Sequence, residues 1–470
     1  MSNLPVVVIG AGPVGLAAAA HLHERGLPFV VLEAGDGPAA AVRQWAHVRL
    51  FSPWRYTIDA ASRRLLVDAG WVEPSPERLP TGGELAADYL QPLADLPALK
   101  PHVRYGSPVV AVTRLGLDRL RTAGRDQVPF LVRLADGTDV LAQAVIDASG
   151  TWSAPNVLGA SGIPAHGEAE AAAFVEHALP DVLGADRDRF AGKRTLVVGA
   201  GHSAANTLLV LADLATQVPG TEVTWAIRAA TPARTYGGET ADALPARGAI
   251  GTRLREHVDA GRIQLITGFS AQTLTVLPEG GVEVSDGVRA VVVDRIVSAT
   301  GFRPDHGFVS ELRLDLDPIL GSTRALAPLI DPNQHSCGTV PPHGVDELTH
   351  PETGYYAIGM KSYGRAPTFL LATGYEQARS VVAALAGDWT AARDVQLDLP
   401  ETGVCNSNPV AEEETAGTGG SACCGTSAET VAPAGRGLAT GIAGGLLSTP
   451  LTLVSATPSA AGEQSGGCCS

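Results

Sequence analysis

The sequence predicts an α/β protein in which one Rossmann-like domain is inserted into another and a disordered tail follows. Three observations predict it. A strand, a glycine turn and a helix follow one another twice: Val6 to Ile9 runs into Gly10-x-Gly12-x-x-Gly15, and Leu196 to Val198 runs into Gly199-x-Gly201-x-x-Ala204. Two similar segments, Val145-Ile-Asp-Ala-Ser-Gly150 and Ile296-Val-Ser-Ala-Thr-Gly301, follow these units. Beyond Trp389 the chain carries no aromatic residue, and from about Glu401 its composition turns to Gly, Ala, Ser and Thr.

Each glycine turn leads into an alanine-rich helical stretch, Leu16 to Leu22 and Ala204 to Leu211. Unpaired N–H groups and the helix dipole at such a start attract an anion, so each unit forms a cradle for a pyrophosphate. Gly10, Gly12, Pro13 and Gly15 would line the first cradle, and Gly199, Gly201, Ser203 and Ala204 the second. After the first turn, Phe29 to Leu32 ends in Glu33, 23 positions past Gly10 and close to the roughly 20 expected for a carboxylate that holds ribose hydroxyls. That acid marks an unphosphorylated adenosine ribose, as in NAD or FAD. The second unit ends in Val223 to Ile227 followed by Arg228, with no acid, and an arginine there favours a ribose 2′-phosphate and hence NADPH.

Composition sets limits. At 470 residues the chain exceeds what one core serves, so two or three domains are expected. A net charge of −15, from 34 basic and 49 acidic residues, argues against a nucleic-acid partner. The first strand begins by Pro5, which leaves no room for a signal peptide, and no unbroken run of 18 apolar residues occurs. The expected location is cytoplasmic, without a membrane partner.

Periodicity supplies the coarse architecture. Thr81-Gly-Gly-Glu84 has the spacing of a capping box and opens a helix through Leu85 to Leu93. Phe130 to Leu134, the turn Asp136-Gly137 and Val140 to Asp147 read as a strand pair that ends the first nucleotide-binding half. Val291 to Thr300 is a second instance of that ending. Between them lies the complete second unit, from about Gly192 to about Asp294, so the chain leaves the first domain, builds another and returns.

The nested pair of units resembles the two-dinucleotide flavoproteins related to flavin-containing monooxygenases and to the pyridine nucleotide-disulphide oxidoreductases. The resemblance covers about residues 5 to 390. Its further carriers are Trp45-Ala-His-Val-Arg49-Leu-Phe-Ser-Pro53, similar to the segment lying along the isoalloxazine, and Phe190 to Ala204 around the second turn. It implies an FAD-binding domain at 1–160 and 295–400 with an NADPH-binding domain inserted at 161–294. Ser149, Gly150, Thr300 and Gly301 would mark the hinge, with Trp45 and Arg49 beside the flavin. A late third region is placed at Gly354 to Lys361 and Thr368 to Gln377, where Gly359, Thr368 and Phe369 would contact FAD. Phe174-Val-Glu-His177-Ala-Leu-Pro180-Asp181 matches the monooxygenase motif at that place only in part, so Baeyer–Villiger chemistry is not implied. A redox-active cysteine pair of the disulfide-reductase kind has no candidate before Cys337.

The six cysteines are Cys337, Cys405, the pair Cys423-Cys424 and the pair Cys468-Cys469. Adjacent cysteines fit disulfide geometry poorly. As soft thiolates, Cys423, Cys424, Cys468 and Cys469 could instead close around a thiophilic metal or metalloid such as arsenite, the alternative being incidental cysteine. His335, Cys337 and His343 on a Pro-rich loop are weaker candidates, and packing is the favoured role for them. Such tails resemble the flavin-dependent monooxygenases of bacterial arsenic-resistance operons. Three functions stay open: an NADPH-dependent FAD monooxygenase or oxidase acting on a small molecule with molecular oxygen, a flavoprotein reductase of thiols or metalloids that uses the tail, and a non-catalytic nucleotide-binding protein that sequesters metalloids.

Overall fold

A computed structural model of the chain describes residues 4–238, 242, 244–332, 340–367 and 369–397. The chain opens with β1 (Val6–Ile9), the Pro13–Glu24 helix and β2 (Phe29–Leu32), and β3 (Val103–Arg104) follows after a helical excursion. An antiparallel meander of β4 (Val109–Arg114), β5 (Phe130–Leu134) and β6 (Asp139–Ala142) precedes β7 (Ala144–Asp147). The central part contains β8 (Val175–His177), β9 (Arg194–Val198), the His202–Gln217 helix, β10 (Glu222–Ala226), the Pro245–Asp259 helix and β11 (Gln264–Ile266). A second meander of β12 (Thr273–Val276), β13 (Val282–Ser285) and β14 (Ala290–Val293) leads to β15 (Arg295–Ser298). The last strand, β16 (Tyr355–Ala357), precedes the Leu371–Leu385 helix.

Two five-stranded parallel sheets result, in the orders β16-β7-β1-β2-β3 and β11-β10-β9-β15-β8. Strands buried on both faces need no polar alternation, which is why β1 and β2 read as unbroken apolar runs. Alternate side chains nevertheless serve different cores. Val6, Val8 and Val31 face the Pro13–Glu24 helix, while Val7, Ile9, Val30 and Leu32 face Val112, Phe130 and Val132 of the first meander. Ala17, Ala18, Ala19 and Ala20 are fully buried, and their small size lets that helix lie close to the sheet and to the Leu371–Leu385 helix. The second sheet repeats the scheme. Val197, Trp225 and Val297 face the His202–Gln217 helix, and Leu196, Val198 and Ile296 face Leu274, Val282 and Val284 of the second meander.

Two runs that read as single strands each divide between sheets. Val140 to Asp147 breaks at Gln143, whose N–H donates to Pro5 O at 3.0 Å, so β6 stays in the meander and β7 joins β1. Val291 to Thr300 breaks at Asp294 into β14 and β15. The parallel register Ile296↔Leu196 puts Arg295–Ser298 in the second sheet, past the expected domain bound at 294 and short of Gly301, near which the sequence expects the chain to return. There the outgoing and incoming passages run side by side: Asn156 N–H donates to Gly301 O at 2.9 Å, Arg303 N–H donates to Ala154 O at 2.9 Å, and Thr300 Oγ1 donates to Asn156 O at 3.0 Å.

The Thr81–Glu84 capping box forms in both directions, with Glu84 N–H on Thr81 Oγ1 at 3.1 Å and Thr81 N–H on Glu84 Oε2 at 2.7 Å. Among the described residues no helix is long and apolar enough to cross a membrane. The tail at 401–470, with all its cysteines, lies outside the described residues.

A buried carboxylate joins the first meander to the segment before β16. Glu352, 1% exposed, accepts from Arg114 Nε at 2.7 Å, Arg125 Nη2 at 2.8 Å and Arg313 N–H at 3.0 Å. The Arg114 guanidinium also lies 3.7 Å above the Phe130 ring. Burial alone would raise the Glu352 pKa, but the bonds from Arg125 and Arg114 outweigh it and hold the carboxyl below its ordinary value. A depressed folded-state pKa gives stability that is present above the unfolded value, about 4.3, and is lost as pH falls through the folded value. Removing the charge strands two buried guanidinium groups, so Glu352→Gln is expected to cost about 3–5 kcal/mol in urea unfolding at pH 7. The wild type's advantage over it should shrink as the pH is lowered through 4.

Candidate nucleotide-binding sites

The first turn uses its three glycines for three different reasons. Gly10 has φ +99°, and a Cβ there would meet Ala148 O at 2.8 Å. A Cβ on Gly15 would meet Gly10 O at 2.0 Å, so helix and turn could not pack. Gly12 differs, because its φ is −76° and a Cβ would meet no protein atom within 4 Å. Nothing in the chain requires a glycine at 12, whereas a group resting against the turn would.

Gly12 also stands at the N-cap of the Pro13–Glu24 helix and supplies no side-chain cap. The chain caps three of its other helices itself, through Asp59, Thr81 and Asp388, and leaves others such as the Pro245–Asp259 helix without a side-chain cap. Pro13 fills the first helical position, where an N–H would be an orphan. Glu33 at the end of β2 is fixed beside the turn, its carboxylate accepting from Ala11 N–H at 2.6 Å and Gly35 N–H at 2.8 Å.

The second turn repeats the design. Gly199 has φ +141°, and a Cβ would meet Ala299 O at 2.1 Å; Trp225 Nε1 donates to Gly199 O at 2.7 Å. Gly201 has open space beyond its Cα and caps the His202–Gln217 helix without a side chain. Ser203 is half-buried, and Ala204, in the place of the third glycine, is fully buried. Arg228 is exposed at the end of β10 and donates to Ala160 O at 3.3 Å. Arg234, not singled out from the sequence, is exposed in the short Ala233–Tyr236 helix that follows, where its neighbour Thr235 donates Oγ1 to Ala200 O at 3.0 Å. Its only signal was a second arginine six positions after Arg228. At each turn, an uncapped helix start behind an unobstructed glycine fits a diphosphate-bearing group.

The returning segments converge on the first turn. Ala148 N–H donates to Ile9 O at 2.9 Å, Ser149 is exposed, and Gly150 has φ +70°. Asp147 and Lys361, neither predicted as a site residue, form an ion pair of 2.6 Å with side chains 0% and 1% exposed. Gly359 (φ +71°) packs its open face on Val14, and Gly374 lies against Val14 and Phe369. The Leu371–Leu385 helix also starts without a side-chain cap. The Gly359 N–H, however, is taken by Gln377 Oε1 at 2.8 Å, so Gly359 shapes the site without offering a donor. Thr368 lies outside the described residues, as do His335, Cys337 and the five tail cysteines. His343 is buried, with Nδ1 3.0 Å from Pro341 O and Nε2 3.0 Å from Gln377 Nε2. Burial lowers its pKa, in keeping with the packing role. Among the described residues no group of three or more His, Cys, Asp or Glu could hold a metal.

The Trp45–Pro53 segment bridges the two sites. Trp45 rests on Gly82, and Arg49 turns to donate to Leu79 O at 2.7 Å. Gln44 Oε1 accepts from Trp152 Nε1 at 2.8 Å, and Trp152 stacks on Phe302 with centroids 5.0 Å apart. Phe51 reaches His202, at the start of the second turn's helix, with centroids 5.2 Å apart. Thr300 and Gly301 serve the crossing between the units rather than the first turn.

Rice indole-3-pyruvate monooxygenase YUCCA1 is 31% identical over 207 residues, which is 44% of each protein. The probable indole-3-pyruvate monooxygenase YUCCA8 of Arabidopsis thaliana is 31% identical over 219 residues, again 44% of each. The match thus spans less than half the length of these curated relatives. Among solved structures, the bacillithiol disulfide reductase of Bacillus cereus aligns with a TM-score of 0.60 at 19% identity, over 82% of this chain and 99% of that one. A flavin-containing monooxygenase from Stenotrophomonas maltophilia aligns with a TM-score of 0.52 at 22% identity, over 83% and 100%. At these identities the structures show a shared fold. Residues 7–336 match the family described as pyridine nucleotide-disulphide oxidoreductase, and the chain belongs to that family.

Proposed function

We propose that the protein is a cytoplasmic FAD- and NADPH-dependent monooxygenase of a small molecule, with residues 1–160 and about 302–400 holding FAD and about 161–301 holding NADPH. The observation that carries this reading is the pair of uncapped helix starts, each behind a glycine that no protein atom requires. The relatives named as monooxygenases and the absence of any cysteine before Cys337 favour oxygenation over disulfide reduction.

When bound, the two cofactors supply hydride transfer and oxygen activation, chemistry that side chains cannot perform. The chain binds, orients and shields. Gly12, Val14 and Gly15 present the first helix start to the FAD diphosphate, and Glu33, already oriented by Ala11 and Gly35, would accept from ribose hydroxyls. Gly201 and Ser203 would do the same for NADPH, with Arg228 and Arg234 beside its 2′-phosphate. The Trp152–Phe302 stack and the Phe51–His202 contact place aromatic surface at the junction of the two units, where it would exclude water. We further propose that the tail cysteine pairs tie the activity to arsenite or another thiophilic toxicant, a reading supported by their spacing and by the family resemblance.

The purified protein is expected to be yellow, to bleach near 450 nm on adding NADPH, and to consume oxygen once its substrate is present. A colourless protein that takes up no FAD would overturn the reading. Deleting residues 401–470 should leave NADPH oxidation unchanged while abolishing arsenite binding in thiol titration; loss of oxidation on deletion would favour reduction through the tail instead.

Gly12→Val should leave the melting temperature of the apoprotein nearly unchanged, because the added atoms enter open space, yet weaken FAD binding about tenfold or more in fluorescence titration. Arg228→Ala should raise the KM for NADPH roughly 10-fold to 100-fold and leave that for NADH unchanged. Equal effects on both nucleotides would refute the 2′-phosphate assignment.

A further inference from the structure

Lys361 is among the most deeply buried charges of the described chain, and the nucleotide chemistry above makes no use of it. Its ammonium lies 2.6 Å from Asp147 Oδ2, 3.1 Å from Ser149 Oγ and 4.3 Å above the Phe308 ring. An ammonium has three protons, and those three neighbours occupy them. Lys361 therefore acts through its partners. Asp147 is equally committed, accepting also from Tyr355 Oη at 2.9 Å, Ser149 Oγ at 2.6 Å and Ser149 N–H at 3.1 Å.

We propose that Lys361 is a positioning residue for the first nucleotide site: with Asp147 it locks the Ala148–Gly150 turn against Gly10, so that the pocket is shaped before FAD arrives. The proposal rests on the FAD reading of that site. Asp147 is the last residue of β7, at the carboxyl end of the parallel sheet, where α/β sheets hold their ligands. The turn that follows it lies directly on the glycine turn, since a Cβ on Gly10 would meet Ala148 O at 2.8 Å and Ser149 Cα at 3.2 Å. Any movement of Ala148 or Ser149 toward β1 closes the cradle.

The lysine is itself anchored from behind. Gly359 N–H and Ser362 Oγ bond into the Gln377–His343 network, and Gly359 packs on Val14 inside the first helix. Lys361 thus links the third FAD-facing segment to the second, and through it to the first. Burying an ion pair adds little net stability compared with apolar residues of the same size, so holding a particular geometry is the more economical account of this one.

Two variants test the assignment. Ser149→Ala removes one of the ammonium's two oxygen acceptors at an exposed position, and the double variant Asp147→Asn/Lys361→Met removes both charges together, which avoids stranding either one. In fluorescence titration of protein stripped of FAD, the FAD dissociation constant is expected to rise about threefold for Ser149→Ala and about tenfold or more for the double variant. The NADPH dissociation constant should stay within about twofold in both, and conservative rescue should follow from Ser149→Thr, which keeps the hydroxyl. A dissociation constant for FAD within twofold of wild type in Ser149→Ala or in the double variant would overturn the proposal. So would a parallel loss of both nucleotides, which marks general loosening. If the double variant does not fold, Ser149→Ala decides. Wild-type protein that binds no FAD at all overturns the reading of the site, a result distinct from either.

Discussion

A helix start that the chain leaves uncapped is the constraint from which both halves of this protein are built. Every helix begins with N–H groups that lack an internal partner. At Asp59, Thr81 and Asp388 the chain supplies a side-chain oxygen for them, whereas at Gly12 and Gly201 it supplies none. The glycines on either side then follow from geometry. Gly10 and Gly199 let the chain reverse against the neighbouring strand, and Gly15 and Ala204 let the helix approach the turn. Sheet order follows too, because each turn lies at the carboxyl end of a strand flanked on both sides by parallel partners.

The two units share a layered plan, with a glycine-turn helix on one face of the sheet and a three-stranded meander on the other, and differ in charge where they meet a nucleotide. The first ends β2 in Glu33, pinned by two backbone donors. The second ends β10 in Arg228, whose one carbonyl bond is long, with Arg234 exposed in the short helix beyond. A fixed acid suits neutral hydroxyls, and loosely held guanidinium groups suit a mobile phosphate. In the proposed reading, two or three side chains would give the two copies of one scaffold different ligands.

Much of this was legible in the sequence wherever the information is local. The bounds of β1 and β2, the two turns and the Thr81–Glu84 box each depend on residues within a few positions of one another. What escaped depends on distance. Gln143 and Asp294 interrupt apolar runs without a glycine or proline, so only the pairing of strands shows that β6 and β7, or β14 and β15, belong to different sheets. Lys361 and Asp147 are 214 positions apart, and Glu352 meets Arg114 across 238. A lone Lys or Glu in a sequence looks like surface, and only its partner reveals a buried charge. Gly359 illustrates a subtler gap: the sequence marked it as a flavin-facing position, whereas the side chain that occupies its N–H, Gln377, is 18 residues downstream.

The crossing between the units has one more implication. Ala154 and Asn156 on the way out are hydrogen-bonded to Thr300, Gly301 and Arg303 on the way back, so the central module enters and leaves through a single narrow neck. A module attached in this way imposes almost no strain on its host, whose sheet is completed by segments before and after the excursion. Such a neck confines the covalent link between the two halves to two passages only a few peptide units long.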